Sequence, residues 1–214
     1  MTARLRGLYA IADTATLAGR DLEAAVAAAI SGGAALVQYR DKGGDAQRRL
    51  REARNLVRIT AAQGVPLLIN DDVELARASG AAGVHLGADD GDAATARAVL
   101  GANALIGISC YDELDRALAA ARAGADYVAF GRMYPSRTKP GGPRPRPGLL
   151  AAARARTGLP VCGIGGITLA NAPEVIAARA DLLAVIGDLF EADDIGARAA
   201  AYARLFAADP GSNA

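Results

Sequence analysis

Eight short apolar runs recur along the chain, each separated from the next by a helical pattern. The runs fall at 7–13, 36–41, 65–70, 83–87, 105–110, 127–132, 160–166 and 182–186. They are nearly continuous in apolar character, as expected of strands covered on both faces. Between them the apolar residues take helical spacing, as at Leu50, Ala53, Val57 and Ala61. Helices are expected over 21–31, 45–63, 72–79, 92–100, 149–156, 171–180 and 194–206. Leu114, Leu118 and Ala121 mark one more, ending at Gly124. Glycine and alanine repeatedly close a helix before the next strand, as at Gly32-Gly33-Ala34, Gly80-Ala81 and Gly124-Ala125. Eight strands alternating with helices in 214 residues specify an α/β chain. The expected fold is a (β/α)8 TIM barrel in a single domain over 1–208. A flexible tail is expected over 209–214. An open doubly wound sheet has the same alternation and is the alternative.

Composition narrows the function. Aromatic residues are 4% with no Trp, which argues against a stacking platform for single-stranded nucleic acid. A net charge of +1 argues against a dedicated polyanion surface. Cys110 and Cys162 do not make a disulfide framework, and a reduced, cytoplasmic compartment is expected. No targeting signal and no membrane span are expected, so the partners should be small molecules.

In a barrel of this kind, chemistry belongs at the C-terminal ends of the strands. Polar residues gather there. On the second strand Gln38, Arg40 and Lys42 share one face, and Val37 and Tyr39 the other. A buried guanidinium, ammonium and amide need partners, and a phosphate or diphosphate suits them. The third strand ends in Asn70, Asp71 and Asp72, the fourth leads to Asp89 and Asp90, and the fifth ends at Ser109. Asp71 and Asp90 come from adjacent strand ends and are placed to share Mg²⁺. Asp72 and Asp92 read as helix N-caps. The glycines of GIGGI lack dinucleotide spacing, but Gly165, Gly166 and Gly187 are placed to bind a phosphate. Asp188 beside such a site is unexpected and reads as a cap for the last helix.

The stretch 133–147 is rich in proline and basic residues and has no acid, which fits a lid over an anionic ligand. Lys139 is its expected functional cation, with Arg144 and Arg146 in solvent. The arginines of helix 45–63 read as a solvated face. His85 is expected to be a hydrogen-bonded core or rim residue. A Cys110–His85 nucleophile pair is the alternative for these two residues, and the usual burial of free cysteines opposes it. Cys162 reads as core.

With these segments in place, the chain resembles the thiamine phosphate synthase family. The resemblance rests on VQYRDK, INDDVELA, GVHLG with Asp90, GISC, FGRMYPSRTKPG and GIGGIT, in order, over about 7–206. It implies a barrel that joins hydroxymethylpyrimidine diphosphate to a thiazole phosphate, giving thiamine phosphate and pyrophosphate. A carboxylated thiazole would also lose CO₂. It further implies that Gln38, Tyr39, Arg40, Asp41, Lys42 and Asn70 hold the pyrimidine diphosphate, although Asp41 should point away from the barrel centre. Asp71 and Asp90 would bind Mg²⁺, and Ser109 would lie by the pyrimidine. Ser136, Arg137 and Thr138 would serve the thiazole phosphate and Lys139 the diphosphate. Gly166, Ile186 and Gly187 would complete the thiazole phosphate pocket. Arg40, Lys42, Lys139 and Ser109 are the implied catalytic residues of a dissociative reaction. Many relatives have Thr at position 136 and Ser at 187. A thiazole tautomerase would have His where Arg132 stands. A phosphate-ligand sensor and a Schiff-base aldolase using Lys42 are the remaining alternatives.

Overall fold

A computed structural model describes residues 5–135, 145–146 and 148–208. The strands are β1 (Gly7–Asp13), β2 (Ala34–Arg40), β3 (Leu67–Asn70), β4 (Gly83–Leu86), β5 (Leu105–Tyr111), β6 (Tyr127–Phe130), β7 (Val161–Ile164) and β8 (Leu182–Val185). All pair in parallel, each with its neighbours in sequence, and β8 returns to β1. The sheet is therefore a closed (β/α)8 barrel in one domain, and the doubly wound alternative is excluded.

The helices among the described residues are α1 (Leu22–Ser31), α2 (Ala46–Ala62), α3 (Val73–Ser79), α4 (Ala93–Leu100), α5 (Leu114–Arg122), α6 (Leu149–Thr157), α7 (Ala172–Ala177), α8 (Gly187–Phe190) and α9 (Ile195–Ala207). Aspartates start five of them. Asp21, Asp45, Asp72, Asp92 and Asp194 each accept a backbone N–H of the first turn. Such a cap contributes about 1 kcal/mol. Asp72 and Asp92 are thereby accounted for as structure. None of these helices is long and apolar enough to cross a membrane.

Strand ends shift from the sequence reading by up to two residues, and two helical differences have backbone reasons. Helix α7 stops at Ala177 because Arg179 turns left-handed at φ 76° and Ala180 bonds back to Val175. The short α8 lies where the sequence suggests only a loop, with four residues too few for a periodic signal. The expected flexible tail lies outside the described residues.

The core has two layers. Residues on the outward strand face, such as Leu8, Val37, Tyr39, Ile69 and Val128, pack under the helices. Alternate residues point inward and fill the barrel: Tyr9, Ile11, Leu36, Leu68, Tyr127, Ala129, Cys162, Leu182 and Ala184. Along β1 to β5 the inward series continues upward to Asp13, Gln38, Arg40, Asn70, His85 and Ser109. The pleat thus delivers the polar residues to one rim.

Candidate active site

Arg40 ends β2 and points inward, where it forms an ion pair with Asp13 at the end of β1. The two are register partners across that strand pair. Asp13 also accepts Thr16 N–H at 3.0 Å, so the first loop is folded around this carboxylate. The sequence supplied an external anion as the natural partner of Arg40, whereas the protein provides Asp13. One face of the guanidinium can still serve a phosphate, because Asp13 occupies only part of its five-donor fork.

Lys42 lies on the open rim and pairs with Asp71. Asp71 is reached through a left-handed turn at φ 63° just after β3. It also accepts Asn70 Nδ2 at 2.6 Å. From the next strand end, Asp90 accepts Gly87 N–H at 2.9 Å and contacts the Asp71 carboxyl. Burial pushes both carboxyls up. At Asp71 the bonds with Lys42, Asp90 and Asn70 overcome this and hold it below the usual carboxylate range. At Asp90 the neighbouring Asp71 adds to burial, and the group is raised. Two carboxyls this close require a shared proton or a cation between them. Among the described residues no cluster of three or more His, Cys, Asp or Glu side chains is available to a metal. Two hard oxygen donors on an open rim nevertheless fit Mg²⁺, which commonly keeps waters and takes the rest of its shell from substrate phosphates.

Tyr39 and Asp41 turn the other way. Tyr39 hydroxyl donates to Glu52 at 2.5 Å and lies 3.2 Å from Asp41, beneath α2. Asp41 accepts Gly43 N–H at 2.7 Å and Thr14 Oγ1 at 3.1 Å, and pairs with Arg48. Both were expected among the ligand-binding residues, and here their side chains are engaged beneath α2. Asp41 points away from the barrel centre as expected, and the pair braces the segment that carries Arg40 and Lys42. Arg48 belongs to this brace, while Arg51, Arg54 and Arg58 are the solvated face foreseen for α2.

On the far side of the mouth, residues 133–135 fold over the end of β7. Met133 N–H donates to Ile164 O and Tyr134 N–H to Gly165 O, both at 2.9 Å. A Cβ at Gly166 would lie 2.3 Å from Pro135 O, and φ there is 65°, so glycine is required. Asn171 clamps the same turn, with Nδ2 donating to Gly166 O at 3.0 Å and Oδ1 accepting Thr168 N–H at 2.8 Å. Ile186 and Gly187 follow on the next strand end, where Gly187 opens α8. Asp188 does not cap the last helix, whose N-cap is Asp194. It pairs with Arg198 at 2.8 Å and accepts Tyr202 Oη at 2.7 Å, which offsets its charge beside the glycines. Ser136, Arg137, Thr138, Lys139 and Arg144 lie outside the described residues. Arg146 is exposed, as expected.

His85 is a buried hydrogen-bonded residue inside the barrel. Its Nε2 lies 2.9 Å from Ser109 Oγ and its Nδ1 2.8 Å from Tyr127 Oη. It does not activate Cys110. That thiol is fully buried, its Sγ directed at Ile108 O, and burial pushes it up to about 12. Sequence reasoning missed Tyr9, Tyr127 and Asp13. Their signal was the inward register of β1 and β6, where a hydroxyl or carboxylate must find a partner.

A sequence model of the family described as thiamine monophosphate synthase matches residues 8–189. The chain belongs to that family. It is 58% identical over 211 residues to the thiamine-phosphate synthase of Azoarcus sp. (strain BH72), covering 97% of this chain and 100% of the relative. A second thiamine monophosphate synthase family member, the thiamine-phosphate synthase of Nitrosococcus oceani, is 55% identical over 206 residues, covering 96% and 95%. Among solved structures, thiamine phosphate pyrophosphorylase from Pyrococcus furiosus superposes with a TM-score of 0.84 at 28% identity, covering 95% of this chain and 96% of its own. A 3-hexulose-6-phosphate synthase superposes at 0.65 with 19% identity over 94% and 99%, a likeness of fold alone.

Proposed function

We propose that this barrel transfers the pyrimidinylmethyl group of hydroxymethylpyrimidine diphosphate to the nitrogen of a thiazole phosphate, releasing pyrophosphate. Thiamine phosphate is the product, and a carboxylated thiazole also gives up CO₂. One observation carries this reading: Lys42 pairs with Asp71 on the rim, Asp90 adjoins Asp71 from the next strand end, and Arg40 ends β2 at the same mouth. A diphosphate with a divalent cation satisfies all four groups together.

The bond from the methylene carbon to the diphosphate oxygen breaks, and its electron pair leaves with pyrophosphate. The amino-substituted ring delocalises the positive charge left on the methylene. The thiazole nitrogen then supplies the pair for the new C–N bond. Asp71 and Asp90 would hold Mg²⁺, which supplies charge neutralisation at the departing diphosphate. Arg40 and Lys42 bind the same oxygens and favour their developing charge. By the family resemblance, Lys139 joins them. Gln38, Asn70 and Ser109 orient the pyrimidine. Ser136, Arg137 and Thr138, with Gly166, Ile186 and Gly187, receive the thiazole phosphate. At position 187 only a backbone N–H is available. No protein nucleophile is needed, so positioning and electrostatics supply the rate. A cytoplasmic location is part of the same proposal.

The test is a product assay with both substrates and Mg²⁺, with EDTA and Lys139→Ala as controls. Thiamine phosphate and pyrophosphate are expected in equal amounts, lost in EDTA, restored by Mg²⁺ and strongly reduced in the variant. Ligand binding without product would overturn the reading in favour of a sensor. The carboxylates give a second expectation. Asp90→Asn removes a charge crowded against Asp71, so the metal-free protein should gain about 0.5 kcal/mol at neutral pH. The same change should weaken Mg²⁺ activation about tenfold or more. Thermal unfolding in EDTA and a Mg²⁺ titration of turnover measure the two effects.

A further inference from the structure

The barrel interior holds a continuous chain of polar side chains that joins Gln38 to Ser109 through Tyr9, Tyr127 and His85, three residues the chemistry above does not use. Gln38 side-chain amide hydrogen-bonds Tyr9 hydroxyl. Tyr9 and Tyr127 meet hydroxyl to hydroxyl at 2.9 Å. Tyr127 Oη lies 2.8 Å from His85 Nδ1, and His85 Nε2 lies 2.9 Å from Ser109 Oγ. Gln38, Tyr9, Tyr127 and His85 are at most 7% exposed, while Ser109 is half-buried and opens towards the mouth. The packing is built for this chain. Tyr127 stacks on His85 with centroids 5.6 Å apart and meets Tyr9 edge-on at 5.9 Å. Its ring crosses Gly107 so closely that a Cβ there would lie 2.0 Å from Cζ.

The chain has a direction. An amide nitrogen can only donate, so Tyr9 oxygen accepts from Gln38. Burial raises both phenols well above their usual value, so each keeps its single proton. Tyr9 must pass its hydrogen to Tyr127, and Tyr127 must pass its own to His85 Nδ1. The imidazole is then neutral with its hydrogen on Nε2, which donates to Ser109 Oγ. An imidazolium would turn Tyr127 back towards Tyr9, whose own hydrogen would have no place in the chain. In the consistent arrangement Ser109 keeps a hydrogen to donate outward. Gln38 Oε1 keeps its lone pairs to accept.

We propose that Gln38, Tyr9, Tyr127, His85 and Ser109 form a one-way hydrogen-bond relay that makes the site specific for an aminopyrimidine. The proposal rests on the pyrimidine substrate proposed above. An aminopyrimidine offers an exocyclic N–H donor beside a ring nitrogen acceptor, which matches Gln38 Oε1 and the Ser109 hydroxyl. The corresponding oxopyrimidine offers the reverse pattern, and it would leave polar groups of the site unpaired. Tyr9, Tyr127 and His85 act through Ser109 and Gln38 and are positioning residues.

The chain has one histidine, so ¹⁵N-histidine labelling reads a single ring. In the free protein we expect one neutral tautomer, with the hydrogen on Nε2 and a bare Nδ1. Gln38→Met keeps the bulk and removes the donor that sets the direction. It should give a mixture of both tautomers at a ring three hydrogen bonds away. A hydrogen on Nδ1 in the wild type, or an unchanged Nε2–H tautomer in Gln38→Met, would overturn the relay. In turnover, Tyr127→Phe should narrow the preference for the amino over the 4-oxo pyrimidine diphosphate at least about tenfold, chiefly through a higher KM for the amino substrate. An unchanged ratio would also overturn it. The tautomer is read without substrate, so it stands even if no thiamine phosphate is formed. Absence of product is a failure of the proposed reaction, and a wrong tautomer is a failure of the relay.

Discussion

Arg40→Met is expected to lower stability by about 3 kcal/mol and kcat/KM by about 10²–10³. The stability loss comes from Asp13. Its side chain is 4% exposed and forms its ion pair with Arg40. Removing only the cation leaves a buried carboxylate with the Thr16 contacts alone. The catalytic loss has a different origin, because the same guanidinium is proposed to meet the departing diphosphate. The two effects separate in Asp13→Asn/Arg40→Met. An amide at position 13 can still accept Thr16 N–H and carries no charge. The double variant should recover most of the stability and none of the activity. Urea denaturation and steady-state kinetics on the single and double variants measure this. Recovery of both together would mean that Arg40 acts only by holding the first loop.

The same pair shows how far the sequence could be read. Period and length were enough for the barrel, because eight apolar runs separated by helical spacing leave few ways to bury them. The strand pleat was enough to place Gln38 and Arg40 on one face, and the strand ends were enough to bring Asn70 and Ser109 to the same rim. The pleat also separated Tyr39 from Gln38 and Arg40, even where the motif as a whole suggested ligand contact. The aspartate N-caps were legible because a cap is a local event. Pairings between strands were not. Asp13 lies 27 residues from Arg40, and Tyr9 lies 118 from Tyr127. The inward positions of Tyr9 and Asp13 show that each needs a partner, but nothing local in β1 names it. Only the register between strands brings these residues together, and a one-residue slip would send each side chain under the helices. Asp188 illustrates the reverse case. Its charge was visible beside a glycine-rich end, but Arg198, which offsets it, is on α9.

Gly107→Ala should cost about 3 kcal/mol, the upper end for overpacking a filled core. Residue 107 is an inward position of β5, between Leu105 and Ser109. A Cβ there would lie 2.0 Å from Tyr127 Cζ and 2.3 Å from its hydroxyl oxygen. Neither side can give easily. The strand is hydrogen-bonded on both flanks, and the Tyr127 ring is fully buried between His85 and Tyr9. The displaced ring must pull on His85 and thus on Ser109, and a shift of this kind can cost about a hundredfold in turnover. The effect should be confined to this contact. Gly44→Ala, on the rim loop with no atom within 4 Å of its Cβ, is expected to be neutral in stability. Tyr127→Leu removes the atoms that collide, so Gly107→Ala/Tyr127→Leu should be more stable than the sum of the single changes allows, a coupling of about 1–3 kcal/mol. Activity should remain low in that double variant, because the space is relieved and the hydroxyl is gone. Thermal unfolding of the four proteins in the cycle, with kcat and KM for each, provides the check. If the cycle is additive, the ring and Gly107 do not constrain one another in solution.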